Sequence, residues 1–159
     1  MRIYVCLKQV PDTETRIKVA GSNDAIDETG IKWIINPYDE FAIEEAIRFK
    51  EKFSQASVTA ITMGPKSRVN NALLTAMAMG ADDAIIVDGP GNLDALTTAK
   101  ALAAAIKKEG DFHLIFSGKQ AIDGSSSAVS QMLAELLAIP HSSVVNKTEY
   151  SENQVSVTR

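Results

Sequence analysis

The sequence predicts a doubly wound α/β domain built on a mainly parallel sheet. Four short runs, residues 3–7 (IYVCL), 58–63 (VTAITM), 84–87 (AIIV) and 114–116 (LIF), are continuously apolar, as in strands buried on both faces. Each is followed, directly or after an excursion, by a segment whose apolar residues recur at helical spacing. Gly, Pro, Ser and Asp gather where strand gives way to helix. Strands alternating with amphipathic helices bury such runs by covering a parallel sheet on both sides.

In chain order, residues 3–7 form the first central strand. Residues 8–13 (KQVPDT) read as a polar turn in which Pro11 forbids regular structure. Residues 16–35 read as an irregular, short antiparallel excursion ended by Asn36-Pro37. Pro37 suits the first helical position, Asp39 and Glu40 its first turn, and Ala42, Ile43, Ala46, Ile47 and Phe53 its apolar face. The second strand, 58–63, meets Gly64-Pro65. A helix then points Val69, Ala72, Leu73 and Ala76 inward and stops at Gly80. After the strand 84–87 and the turn 88–92, Asp94 is placed to cap a helix with the face Leu96, Ala99, Leu102, Ala103 and Ile106, closed by Gly110. The strand 114–116 opens into a polar loop, 117–127, and a helix marked by Val129, Met132, Leu133, Leu136 and Leu137 that stops at Ile139-Pro140. Residues 1–145 are expected to be one nucleotide-binding domain. Residues 146–159 read as the start of a C-terminal segment cut off mid-element, with a turn over 151–153 and Val155 and Val157 in a strand without a partner.

A net charge of −4 and no basic cluster leave nothing for nucleic acid to bind. No apolar run reaches the ~20 residues of a membrane helix. A single cysteine, Cys6, forms no internal disulfide, which fits a reducing compartment, with the cytoplasm as the expected location. Cys6 lies within a strand with no base near it in sequence. His113 and His141 stand too far apart to begin a metal site, and no GxGxxG, GxxxxGK[ST] or GxSxG string occurs. Trp33, beside Ile34 and Ile35, reads as a packing residue. Ligands of open α/β sheets sit beyond the carboxyl ends of the strands, where strand order reverses. Four loops qualify: 8–13, 36–39, 64–67 and 117–127. The fourth is the richest, with Gly118 and Gly124 permitting close approach, Lys119 adding a cation, and Ser125, Ser126 and Ser127 offering hydroxyls and N–H groups where a helix begins. The plainer alternative there is a tight Asp123-Gly124 turn with Ser126 as a helix cap.

KQAIDG (119–124), followed by Gln131-Met132 and LAELLAIP, closely resembles the signature of the electron-transfer flavoprotein β subunit. VCLKQVPDT (5–13), NPYDEFAIEEAIRFKE (36–51), ITMGP (61–65) and ALLTAMAMGADDAI (72–85) resemble the same family, in register from Met1 to about Val145. The resemblance implies an adenine-nucleotide-hydrolase-like fold without hydrolysis, and a heterodimeric electron-carrier subunit with no catalytic side chains of its own. Bifurcating electron transfer would arise only within a larger complex. The implied partners are an α subunit carrying most of a shared FAD, flavin dehydrogenases, and a downstream quinone-reducing or other oxidoreductase.

Carried over by position, the implied nucleotide pocket comprises Cys6, Asn36, Pro37, Tyr38, Asp39, Met63, Asp123, Gly124, Ser125, Ser126, Ser127, Ala128, Val129, Ser130, Gln131, Met132 and Leu133. Asn36 to Asp39 would flank the adenosine, 124–130 would meet the phosphate, and loop 8–13 would face the flavin of the α subunit. The loop reads DGSSSAVSQ where bifurcating members resemble DGDTAQVGP. Ser126 keeps the hydroxyl and Val129 the valine, while the glutamine, glycine and proline are missing. The Asn-Gln-Thr-Gly run of non-bifurcating members is also missing, although Gln131-Met132 agrees with them; KQVPDT and NPYD lean towards the bifurcating branch. The expected ligand is AMP, with a second FAD in the same pocket as the alternative. The family's sequences continue beyond Arg159 through a dehydrogenase-docking loop and an arm that wraps the α subunit, so the chain is expected to be the N-terminal part of such a sequence. A rival class, an adenine-nucleotide-binding regulatory module of universal-stress type, calls for a GxxGxxxxG[ST] loop that does not occur. An ATP pyrophosphatase calls for an SGGxDS-like loop after the first strand, whereas Ser117-Gly118 follows the fourth.

Overall fold

The computed structural model describes residues 1–22, 25–151 and 154–159. The elements run β1 (Arg2–Leu7), β2 (Gln9–Pro11), β3 (Trp33–Ile35), α1 (Pro37–Lys52), β4 (Ser57–Gly64), α2 (Lys66–Met79), β5 (Asp83–Asp88), α3 (Ala95–Glu109), β6 (Leu114–Ser117), α4 (Val129–Leu137), β7 (Lys147–Ser151) and β8 (Gln154–Thr158). The main sheet has the order β5-β4-β1-β6 and every pairing in it is parallel, with Ile3 of β1 opposite both Val58 and Leu114.

Alternate residues of β1 feed opposite faces. Ile3, Val5 and Leu7 join Val58 and Ala60 beneath α1 (Ala42, Ile43, Ala46, Phe49) and α2 (Ala72, Leu73, Ala76). Tyr4 and Ile61 join α3 (Ala99, Leu102, Ala103, Ile106) and Leu133 of α4 on the other face. Both faces are covered, which is why the strands carry no polar alternation. The order has one consequence for function. The chain leaves β1 for the α1 face and leaves β6 for the α4 face, so these neighbouring strands diverge at their carboxyl ends and open a crevice between them.

Several expectations are refined. Residues 9–11 are not a turn: β2 pairs antiparallel with β3, Pro11 sits at its end opposite Trp33, and Val10 is fully buried. Proline is tolerated there because a two-stranded ribbon's edge lacks a second ladder to supply. This ribbon is the base of the antiparallel excursion, whose outer part holds a Val19–Ile26 bridge. Leu96 is 43% exposed rather than part of the α3 core face. It lies in the first turn, ahead of the stretch that reaches the sheet. Asp94 does cap that helix, its Oδ1 accepting from Thr97 N at 2.9 Å. Phe49 joins the buried face of α1, with Ile47 and Phe53 packed at its margin.

Val155 and Val157 do have a partner strand: β8 pairs antiparallel with β7, Val155 opposite Tyr150. The expected turn over 151–153 falls largely outside the described residues. Tyr150 anchors this hairpin to α1. Its ring meets Phe49 edge-on at 4.9 Å between centroids, its hydroxyl donates to Glu45 Oε1 at 2.8 Å, and its carbonyl accepts from Lys52 Nζ. Among the described residues no helix is long and apolar enough to cross a membrane.

These placements set two opposite outcomes. Ile43→Ala empties a fully buried site and should lower stability by about 2–5 kcal/mol. Leu96→Ala should stay within about 0.5 kcal/mol, as surface substitutions do. Urea unfolding of both variants checks the pair, and a large loss at Leu96 would contradict the placement.

Candidate functional site

At the carboxyl ends of β1 and β6 the main-chain N–H groups of Lys8 and Gly118 run out of ladder partners as the strands part. The segment just before and within the first turn of α1 supplies them. Asp39 accepts from Lys8 N at 2.7 Å through Oδ2 and from Gly118 N at 3.0 Å through Oδ1. Asn36 does the same for the next stretch of loop, donating from Nδ2 to Gln120 O at 2.8 Å and accepting at Oδ1 from Ile122 N at 3.0 Å. Both side chains are buried, and each of their terminal polar atoms has a hydrogen-bond partner. Gly118 is required by this arrangement. A Cβ there would collide with Asp39 Oδ1 and lie 2.7 Å from Tyr38 C and 2.8 Å from Asp39 N.

Burial pushes the Asp39 carboxyl from 3.8 up to about 6, although the N–H donors and Lys8 pull the other way. At neutral pH it is therefore a buried carboxylate held by two main-chain donors. Burial, with the Asp39 charge second, pushes the Cys6 thiol up to about 12, so Cys6 is no nucleophile.

The crevice encloses about 200 Å³. Its apolar lining comes from Met63, Leu93, Ala95, Leu102 and Val129. Ser126, Ser127 and Ser130 around the start of α4 line it too, with Lys8 and Lys119. The helix N-cap is Ala128, so no side chain occupies the first free N–H groups of α4. Ser125 and Ser127 take left-handed backbone, φ 51 and 50, which bends the loop over the helix start. Ser117 and Ser130 hydroxyls meet at 2.7 Å across the crevice floor, and Ser127 Oγ donates to Gln120 Oε1 at 3.3 Å. Apolar side chains, hydroxyls, two lysines and an uncapped helix start lining one crevice suit a ligand with an apolar part and an anionic part.

Of the residues singled out from the sequence, Cys6, Asn36, Asp39, Met63, Ser126, Ser127, Ala128, Val129 and Ser130 converge on this crevice. Pro37 opens α1, and Tyr38 is 36% exposed on its first turn. Asp123 lies at the rim of a second hollow, Gly124 and Ser125 lie on the exposed outer loop, and Gln131 follows along α4 with a buried Oε1 that has no hydrogen-bond partner among the described residues. Leu133 is core, and Met132 packs against it. The structure adds a wall not anticipated from sequence: Pro90, Gly91 and Leu93 of the β5–α3 turn, with Ala95, Thr98 and Leu102 of α3. The Asp-Gly-Pro-Gly turn at 88–91 follows a parallel strand's carboxyl end, the signal that marked the other four loops.

The second hollow, about 850 Å³, lies between the excursion and the loops of β1, β4 and β6. Arg68 is its central fastening. The guanidinium stacks 4.0 Å over Trp33, pairs with Glu28 at 2.9 Å, and fills the space where a Cβ on Gly91 would stand. Among the described residues no group of three or more His, Cys, Asp or Glu could hold a metal ion.

The family model described as "Electron transfer flavoprotein domain" matches residues 24–159. The electron transfer flavoprotein subunit beta of Dictyostelium discoideum is 40% identical over 159 residues, covering 100% of this chain and 63% of that protein. The subunit of the same name from Clostridium acetobutylicum is 40% identical over 161 residues, covering 100% of this chain and 61% of its own. An acryloyl-CoA reductase electron transfer subunit gamma from Anaerotignum propionicum is 41% identical over 144 residues, covering 88% and 53%. The chain thus spans less than two thirds of the length of these relatives.

Two outcomes test the crevice frame. Gly118→Ala should destabilise by about 1–3 kcal/mol, because its Cβ meets main chain that has little room to move. The pH dependence has a definite sign. The folded state holds the Asp39 proton more tightly than the unfolded chain, so stability falls as pH rises between about 4 and about 6, by roughly 3 kcal/mol at ~1.4 kcal/mol per unit. Urea midpoints across that window should show the fall for the wild type minus Asp39→Asn difference; a flat difference would contradict it.

Proposed function

The chain belongs to the electron transfer flavoprotein family, and on that premise we propose that it is the nucleotide-binding part of a β-type subunit. In this reading the crevice holds AMP as a resident structural ligand. The chain pairs with an α subunit into a heterodimer and helps position an FAD shared between them. Flavin dehydrogenases deliver electrons to that FAD, and a quinone-reducing or other oxidoreductase collects them. The flavin supplies the redox chemistry. This chain's residues bind and orient.

The observation that carries the reading is the start of α4, uncapped by any side chain and facing the crevice between β1 and β6. Hydroxyls of Ser126 and Ser130 stand beside those N–H groups and Lys119 lies at the mouth, a donor set suited to a phosphomonoester. The apolar wall of Met63, Leu93 and Leu102 suits a purine ring. No side chain lining the crevice is set up for proton transfer or nucleophilic attack: Asp39 and Asn36 are spent on the loops, and Cys6 stays a thiol. A ligand here stays unreacted.

Heating the purified protein and identifying what it releases by mass spectrometry tests the claim; about one equivalent of AMP is expected, and a protein that neither carries nor binds an adenine nucleotide would end it. Ser126→Asp gives a second readout. An acid before α4 favours the helix end and repels a phosphate, so AMP affinity should drop at least about tenfold with no loss of stability.

A further inference from the structure

Resting on the nucleotide reading above, we infer that Lys8 is a shared cation for which Asp123 and the nucleotide's phosphate compete. Lys8 Nζ lies 2.7 Å from Asp123 Oδ1, the two side chains being 50% and 31% exposed. Such a half-solvated pair is weakly held and opens readily. Lys8 also lines both cavities, the crevice and the second hollow, while Asp123 lines only the second. Its main chain is fixed by the Asp39 carboxylate at 2.7 Å. The root of the side chain is therefore fixed while the four-carbon stem remains free to re-aim its ammonium.

The balance between the two anions favours the phosphate. A phosphomonoester carries about −1.5 to −2 charges near neutral pH, against one on Asp123. It would sit in a walled crevice where charge attraction is screened less than at the rim. Lys119, exposed at the mouth and without an ion-pair partner among the described residues, contributes to affinity without this competition. The exchange has a consequence across the wall. In the second hollow Asp12 is paired with Lys32 and Glu28 with Arg68. A nucleotide that takes Lys8 leaves Asp123 as the uncompensated carboxylate there, while loop 117–127 stays tethered through Asn36 and Asp39. Occupancy of the crevice is thereby reported as one unit of negative charge in the neighbouring hollow.

Calorimetric titration of AMP and of adenosine into the full chain, stripped of nucleotide on charcoal, tests this with Lys8→Gln, Asp123→Asn and the double variant. Lys8→Gln should weaken AMP about tenfold, the loss expected for one charge-assisted contact. Asp123→Asn, which removes the competitor, should tighten AMP about two- to fivefold, consistent with a weak exposed pair. That gain should vanish in the double variant, and adenosine, lacking the phosphate, should bind all four proteins alike. Asp123→Asn leaving AMP affinity unchanged or lower, a gain that survives without Lys8, or adenosine shifting as much as AMP would each overturn the inference. Unfolding midpoints on the same samples separate a weakened fold from a lost contact. Wild-type protein that binds no AMP would instead remove the nucleotide reading, and this inference with it.

Discussion

The carboxylate of Asp39 joins the two strands whose divergence makes the crevice. Parallel strands that send their helices to opposite faces must part at their carboxyl ends, and each leaves main-chain N–H groups without a ladder partner. Unmet donors buried at that depth would cost about 1–3 kcal/mol each. One side chain answers both, taking Lys8 N and Gly118 N on its two oxygens, and it comes from the first turn of α1. Much of the local sequence follows from this. Pro37 starts α1 at once so that Asp39 falls one turn into the crevice. Asn36, just ahead of it, can then reach Gln120 and Ile122. Position 118 must lack a Cβ because Asp39 occupies that side.

The frame has a consequence for chemistry. Side chains of the kind that commonly contact ligands, an Asp and an Asn in a conspicuous motif, are consumed in holding the walls. What is left for a bound molecule is main-chain N–H, serine hydroxyls, two lysines and an apolar slot. Of the two titratable groups shifted by burial there, the Cys6 thiol stays protonated at neutral pH and the Asp39 carboxylate is engaged by two main-chain N–H groups. A further anion beside the buried Asp39 would raise its pKa more, whereas the neighbouring Lys8 lowers it.

The central strands and the four helices were legible from residues alone, because continuous apolar runs and helical spacing are local signals. The position of loop 117–127 at a strand's carboxyl end was legible for the same reason. The roles of Asn36 and Asp39 were not. A Pro-preceding Asn and an Asp in a helix's first turn read as local features. Their partners lie far off in sequence, Lys8 being 31 residues before Asp39 and positions 118 to 122 about eighty residues after, and only the sheet order brings them near. Residues 9–11 read as a turn because proline breaks most strands, whereas the edge of the β2–β3 ribbon tolerates Pro11 opposite Trp33. The tail misled because Tyr150, a lone aromatic in a polar run, carries no periodicity; its burial depends on Phe49 and Phe116, which it meets only after the hairpin folds back on α1.

The two cavities are best understood as one structure with a shared wall. Lys8 and Gly91 border both. Behind that wall Arg68 ties the excursion to α2 by stacking on Trp33 and pairing with Glu28, and Asp12 closes the ribbon onto Lys32. Because Gly91 has no side chain, the Arg68 guanidinium presses directly against the turn that forms the far side of the crevice. Arg68 also holds the excursion, whose Ile17 and Val19 stand in solvent, 55% and 67% exposed. Close-packed walls transmit small displacements rather than absorbing them. Arg68 thus makes one continuous line of contact from the Gly91 turn at the crevice, through Trp33 and Glu28, to the excursion.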